Sequence, residues 1–227
     1  MLNLFVKSIK KRLLDFIIRN LSPNLYWNWR AFKYGKRAVV NLGHPEHELE
    51  MITHQQKAEI FPYLTQLLTG NEKRILDFGC GPGRFTIDLA SLIAGTAIGV
   101  DPIGSFLTKA PKHTNVEYYQ IINHRIPLSN SSVDVVWVCL VLGGIQGENL
   151  TFAVNEILRV LKQNGLLFVV ENTSEKNNSE HWYFRSISDY QHMFPGISLV
   201  HIHDYYDLAE RISIIAGRKN VQIGKIT

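Results

Sequence analysis

Cysteine is nearly absent, with two residues, Cys80 and Cys139, in a chain of 227. Two thiols build neither a disulfide framework nor a four-cysteine zinc module, so a stapled secreted scaffold and a Cys-rich metal domain are excluded. Long apolar runs are missing as well. None approaches the roughly 20 residues a membrane span needs, which excludes a transmembrane chain. Charged residues are a modest 19% against 45% hydrophobic, a balance too apolar for a disordered chain. Internal repeats and low-complexity segments are absent, and the polar stretch ENTSEKNNSE is too short for a domain linker. What remains is a globular chain with a core of useful size. At roughly 100–200 residues per domain it holds one domain with an extension, or two small domains.

The net charge of +4 hides an asymmetry. Residues 1–37 carry nine Lys/Arg against one acid, Asp15, a local +8, while the other 190 residues carry 15 against 19, a local −4. Basicity confined to one end argues against a nucleic-acid-binding body. In MLNLFVKSIKKRLLDFIIRNL, residues Leu2, Phe5, Val6, Ile9, Leu13, Phe16 and Ile17 recur at helical spacing, with Lys7, Lys11, Asp15 and Arg19 on the other side. This predicts a basic amphipathic helix over 2–20 that stops near Ser22-Pro23. Charges interrupt its apolar stretches and no small-residue cleavage site follows, so it does not read as a signal peptide. Its apolar face suits the chain's own body or a second subunit, or an anionic membrane surface with lysines at the headgroups. The aromatic group Tyr26, Trp27, Trp29, Phe32 and Tyr34 is either a belt at such an interface or buried apolar area.

A His-rich stretch, NLGHPEHELEMITHQQ, then leads into a helix over roughly 46–69 that can restart at Pro62. Beyond it the rhythm changes. RILDF, TAIGVD, NVEYYQ, VDVVWVCLVL and GLLFVVE read as strands, and RFTIDLASLIA, SFLTKA and LTFAVNEILRVLK read as helices between them. A polar loop over 172–185, a short helix near 186–193 and two apolar strands near 197–203 and 211–216 follow. Strands alternating with helices form βαβ units, hence a mostly parallel sheet covered on both faces, and the continuously apolar 133–142 suits its centre.

The chemically informative string is ILDFGCGPGRFT, residues 75–86. A strand runs into Asp77, then Gly79, Gly81 and Gly83, then a helix. In an open α/β sheet the first strand–helix turn is where a cofactor sits, and glycine lets the backbone approach it. The dinucleotide fingerprint fails because its sixth position is Arg84, and the P-loop fails because no Gly-Lys-Ser/Thr follows. An acid followed by three alternate glycines resembles motif I of the class I S-adenosylmethionine-dependent methyltransferases. Asp101 at the end of IGVDP, the string RIPLSNSSVDVVWVCLVL, and the helix ending RVLKQNGLLFVVE match that family in order over residues 74–171.

The resemblance implies a Rossmann-like fold with a seven-stranded, mostly parallel sheet whose last strand is antiparallel, plus an N-terminal helical extension. Residues 1–70 would form that extension and lid, and residues 71–227 the domain that binds S-adenosylmethionine and releases S-adenosylhomocysteine. It further implies that Asp77 holds the cofactor's amino group through water, that the loop of Gly79, Cys80, Gly81 and Gly83 passes the methionine and ribose parts, and that Asp101 binds the ribose. Pro102 and Ile103 would line the adenine side, and Cys139 and Leu140 the methionine moiety. The acid that family members often place after the third strand is missing. Its position is Ile122, followed by Asn123 and His124, so adenine recognition falls to a backbone carbonyl, Asn123 or another route.

Methyl transfer rests largely on holding an acceptor close and aligned, and a hydroxyl acceptor also needs a base. Candidate bases are Glu171 at the end of the fifth strand, His181 in HWYFRS, and His47 in the segment before the sheet, where Tyr34, His44 and Glu48 can contribute to a lid. Each also has a purely structural reading, as a loop cap or pin. His44, His47 and His54 do not match HExxH and no further ligand set appears, so no metal is expected. Trp137 reads as core. Gly143-Gly144 opens room for a bulky acceptor or makes a turn, and Tyr205-Tyr206 can wall the acceptor pocket. The strings YGKRAVVNLGHPEHE and HWYFRSISDYQHMFPG resemble segments of bacterial methyltransferases associated with surface-glycan synthesis. The expected reaction is therefore methylation of a hydroxyl on a small molecule or glycan intermediate in the cytoplasm. The rivals are a lipid or quinone methyltransferase at the inner face of the membrane and a catalytically silent S-adenosylmethionine-binding sensor. Nucleic acid is not an expected partner; a homodimer is open.

Overall fold

Hydrophobic alternation turns into architecture in the order the sequence suggests. A computed structural model describes Ile17 and residues 21–221. The amphipathic helix expected over 2–20 therefore lies outside the described residues, Ile17 apart. The sheet is built from β1 (Arg74–Phe78), β2 (Thr96–Asp101), β3 (Val116–Gln120), β4 (Val133–Cys139), β5 (Leu161–Asn172), β6 (Val200–Asp207) and β7 (Glu210–Arg218). Its spatial order is β3-β2-β1-β4-β5-β7-β6. β1 to β5 pair in parallel, and β7 runs antiparallel to both its neighbours.

The helices are α1 (Pro23–Tyr34), α2 (Leu49–Leu67), α3 (Thr86–Leu92), α4 (Gly104–Leu107), α5 (Gly147–Val160) and α6 (Ile187–Met193). Two apolar layers sandwich the sheet. Leu76, Val136, Val138, Leu167 and Val169 face Ile157, Tyr190 and Phe194. Ile75, Val135, Trp137, Phe168 and Ile214 face Ile60, Leu64 and Leu89. Because β4 lies between these layers, successive residues from Val135 to Cys139 are apolar rather than alternating. At the edge, β3 alternates with exposed positions and stays short.

β5 begins at Leu161, where the sequence reading still had helix and expected the strand from Gly165, and four further differences from expectation have local reasons. β4 stops at Cys139 instead of running to 142, because Leu140 takes φ +56° and the chain turns into a 3-10 helix at Leu142–Gly144. α2 passes through Pro62 without restarting, since Ile52, Gln56, Ile60 and Leu64 form one buried stripe on both sides of the proline. β6 extends to Asp207 because Leu208 and Ala209, at φ +47° and +63°, close a tight hairpin into β7. The aromatic group after Pro23 is a helix, with proline at its first turn where a missing N–H costs nothing. A small third core joins this helix to the sheet: Ala31 and Ala38, with Trp27, Tyr34 and Val39, pack on Ile103 and Phe106. The segment before the sheet thus closes over the carboxyl end of β2.

Candidate active site

Strand order reverses between β1 and β4, and in open α/β sheets that reversal leaves a crevice beyond the carboxyl ends of the strands. Here a cavity of about 320 Å3 fills it. Its walls come from the turns after β1 (Gly79), β2 (Asp101, Pro102, Ile103), β3 (Asn123, His124) and β4 (Cys139, Leu140, Val141), with Asn24 and Trp27 of α1 and Asn149, Phe152 and Glu156 of α5.

Asp101 is the polar centre of this cavity. Its Oδ2 accepts the Gly81 N–H at 2.9 Å and its Oδ1 the Ile103 N–H at 2.8 Å. Each oxygen keeps further acceptor capacity, which suits a pair of hydroxyl donors. Burial pushes its carboxyl up to about 6, against those two hydrogen bonds. Gly79 stands at φ +72°, and a Cβ there would come within 2.5 Å of Val141, so only glycine fits the turn. Gly81 is at φ +53°, and its missing Cβ faces Val39 of the segment before the sheet.

The structure divides the cofactor residues expected from the sequence into two shells. Gly79, Asp101, Pro102, Ile103, Asn123, Cys139 and Leu140 line the cavity. Asp77, Cys80, Gly81 and Gly83 frame it from behind. Asp77 accepts a hydrogen bond from Thr86 Oγ1 at 2.7 Å, tying the end of β1 to the start of α3. Burial, helped by the Asp101 charge, pushes the Asp77 carboxyl up to about 7. Cys80 is buried, which pushes its thiol well above the usual range. A Cβ on Gly83 would meet the Tyr118 hydroxyl.

The third-strand turn carries Asn123 and His124 where the expected acid is missing. Asn123 and His124 both have positive φ, +51° and +60°, at the tip of a turn closed by Arg125 N–H on the Ile122 carbonyl at 3.0 Å. The His124 ring stacks on Phe152 with centroids 4.9 Å apart. Sequence reading missed His124, Asn149, Phe152 and Glu156. The last three share one face of α5 at i, i+3 and i+7, a spacing that was legible once the helix was assigned. Glu156 is not a free acid, since Arg159 Nε donates to it at 2.6 Å and the Ile126 N–H at 2.7 Å.

None of the three candidate bases lines the cavity. Glu171 is fully buried and accepts the N–H groups of Val141 at 2.7 Å, Leu142 at 2.6 Å and Gly143 at 3.3 Å. It holds the turn after β4, and burial pushes its carboxyl up to about 7. His181 stacks on Tyr26 of α1, centroids 3.7 Å apart, fastening the 173–185 loop to that helix. His47 is exposed, 3.9 Å from Glu48. His44 instead bonds Asp207 at the end of β6, at 2.5 Å. Of the two glycines expected to open room, Gly143 is filled, since an added Cβ would meet the Trp182 indole, whereas Gly144 lines the cavity beside Trp27. Tyr205 is buried beneath α2 and Tyr206 is exposed, and neither lines the cavity.

Comparison with known proteins agrees with this geometry. Residues 76–169 match the family described as a methyltransferase domain. The chain is 33% identical to the thiol S-methyltransferase TMT1B of Rattus norvegicus over 132 residues, 55% of this chain and 53% of that protein. Among solved structures it resembles the PH0226 protein from Pyrococcus horikoshii OT3, with TM-score 0.63 and 13% identity over 83% of this chain and 98% of that one. It also resembles a SAM-dependent methyltransferase from Aquifex aeolicus, with TM-score 0.56 and 18% identity over 76% and 93%. These structural likenesses establish the fold. The chain spans about half the length of the curated relatives it matches.

Proposed function

We propose that this chain, whose residues 76–169 match the methyltransferase domain family, is a class I S-adenosylmethionine-dependent methyltransferase that methylates a hydroxyl of a small molecule or glycan intermediate. The observation that carries the reading is Asp101, a buried carboxylate fixed by two backbone N–H groups and open to the cavity at the strand reversal. The residues present fit an adenosyl group. Asp101 would accept from the ribose hydroxyls, Ile103 and Pro102 would flank the base, Asn123 would offer it an amide, and Cys139 and Leu140 would form the neutral wall beside the sulfur. S-adenosylmethionine, when bound, supplies a methyl on a sulfonium with a neutral thioether as leaving group.

The chain's own residues supply position and shelter. Trp27 and Val39 close one side and Phe152 another, so the cavity is walled by apolar groups that exclude water around an acceptor. His181, stacked on Tyr26 beside the cavity-lining Trp27, acts as a positioning residue of the 173–185 loop. His181→Asn should then lower kcat and cofactor affinity together, and a loss of kcat about 100-fold at unchanged cofactor affinity would make it the base. Calorimetric titration with S-adenosylmethionine, S-adenosylhomocysteine and NAD tests the reading itself. Binding of the two adenosyl ligands without NAD supports it, and no adenosyl binding overturns it in favour of a scaffold. Because a thiol S-methyltransferase is among the relatives, the acceptor screen should include thiols beside glycan intermediates.

A lipid or quinone acceptor at the inner membrane face is the second reading, favoured by α1. Trp27 of this helix lines the cavity, while Leu25 and Phe32 are exposed, Phe32 by 90%, beside Arg30 and Lys33. No helix among the described residues is long and apolar enough to cross a membrane. Anionic vesicles should co-sediment the full chain and release a Leu25→Ser/Phe32→Ser variant if this face meets lipid. A dimer that dissociates in that variant would assign the face to a second copy.

A further inference from the structure

Arg84 sits one residue beyond the glycine turn, mostly withdrawn from solvent. Its Nε is sealed and has no hydrogen-bond partner among the described residues. Nη1 reaches the Val39 carbonyl at 3.4 Å, and Nη2 donates to the amide oxygen of Gln56, a buried residue of α2. The guanidinium carbon lies 4.8 Å from the Phe85 ring centroid. No carboxylate stands within ion-pair distance of it among the described residues. Charges withdrawn from water are normally paired, because desolvation costs several kcal/mol otherwise. Cys139, Tyr205, Asp207 and Asp77 lie near enough to Arg84 to act on its charge, the two carboxylates from beyond ion-pair distance. The Tyr205 hydroxyl is likewise sealed and without a partner among the described residues.

Arg84 also lines a second cleft, of about 380 Å3, between α2 and the glycine turn. Lys36, His54 and Lys57 share its walls, and Glu50 is the single acid there. Asp88 pairs with Lys57. Lys36 has no ion pair among the described residues. Val39 separates this cleft from the cavity: its side chain faces Gly81, it lines the cavity, and its carbonyl meets Arg84.

We propose that this cleft is a binding site for a carboxylate or phosphate group, held by Arg84 and Lys36. A guanidinium with an unused N–H beside a second cation is suited to such an oxyanion. Two sources carry that chemistry: the amino-acid carboxylate of an adenosyl cofactor reaching past Val39, and an anionic group on the methyl acceptor. Assigning the source rests on the methyltransferase reading; the site itself does not.

The test titrates the full-length protein with S-adenosylhomocysteine, with 5′-methylthioadenosine, which lacks the amino-acid part, and with inorganic phosphate. For the cofactor carboxylate, S-adenosylhomocysteine binds at least about tenfold more tightly than methylthioadenosine, and Arg84→Gln removes that advantage. For the acceptor group, phosphate binds in the presence of saturating S-adenosylhomocysteine, and Arg84→Gln weakens it by about tenfold while the nucleoside affinities hold. Equal affinity for both adenosyl ligands together with no phosphate binding overturns the proposal on the wild-type protein alone. So does an Arg84→Gln variant that folds and changes neither affinity. If that variant does not fold, Lys36→Gln, on an exposed residue, takes its place. A wild-type protein that ignores both adenosyl ligands defeats the methyltransferase reading, and phosphate then decides the site by itself.

Discussion

Asp101 and Glu171 are both buried carboxyls with raised proton affinity, yet their partners give them different work. Asp101 uses one acceptor position on each oxygen for Gly81 and Ile103 and faces a cavity. A ribose diol donates to the ionised form, so ligand binding must expel any proton Asp101 holds. With its carboxyl at about 6, affinity for S-adenosylhomocysteine should rise with pH and level off above 7. It should be about tenfold weaker at pH 5 than on the plateau. Calorimetry across that range checks it, and Asp101→Ala should abolish binding without unfolding the chain. Glu171 instead gathers three backbone N–H groups. Glu171→Ala would strand those donors and cost more than about 3 kcal/mol in urea unfolding. Its carboxyl is raised by burial from the ordinary 4.5 to about 7. That favours the protonated folded state, so its contribution to stability is fully present below pH 4.5 and is lost as pH rises through 7. Glu171→Gln should flatten this part of the stability profile; an unchanged profile would show that Glu171 does not titrate in that window.

At the scale of elements, the strands and the loops obey different rules. Trp137 on β4 stacks on Phe168 of β5, planes within 3° and centroids 5.4 Å apart, in the layer covered by α2 and α3. Its sealed indole N–H has no partner among the described residues, so its worth is apolar packing. Trp137→Ala should cost about 3–5 kcal/mol by denaturant unfolding, whereas Trp137→Phe should cost much less. The glycine turn is limited by backbone geometry instead. Gly81→Val places a β-branched residue at φ +53° against Val39, so adenosyl affinity should fall beyond detection while the sheet survives, a combination read by calorimetry and circular dichroism. RILDF, TAIGVD and the glycine turn were legible because local pattern alone specifies them. The end of β4 was not, since Leu140 leaves the strand to meet a turn held by Glu171, some 30 positions away in sequence.

For the whole molecule, the segment before the sheet is part of the site. α1 and the turn after it supply Trp27 and Val39 to the cavity, and His44 fixes the following stretch to Asp207 at the far end of β6. The 173–185 loop is fastened to the same helix through His181 on Tyr26. Trp27→Ala should therefore weaken ligand binding without lowering sheet stability in proportion, as read by calorimetry beside urea unfolding, since it removes a wall and leaves the layers intact. By itself the sequence determined the parallel sheet, its helices and the acid–glycine turn, because these depend on hydrophobic period and on backbone freedom within a few residues. It placed Asp101 at a strand end, where a cofactor acid belongs. Only the tertiary structure decided which polar groups face the cavity. Glu171, a reasonable base by position, is consumed by three N–H groups from a distant turn. Gly143 is filled by Trp182, whereas Gly144 lines the cavity. Arg84, which merely broke a motif in the sequence, becomes a guanidinium whose sealed Nε has no hydrogen-bond partner among the described residues. Burial and partner choice arise from contacts between residues far apart in the chain, and local pattern carries no record of them.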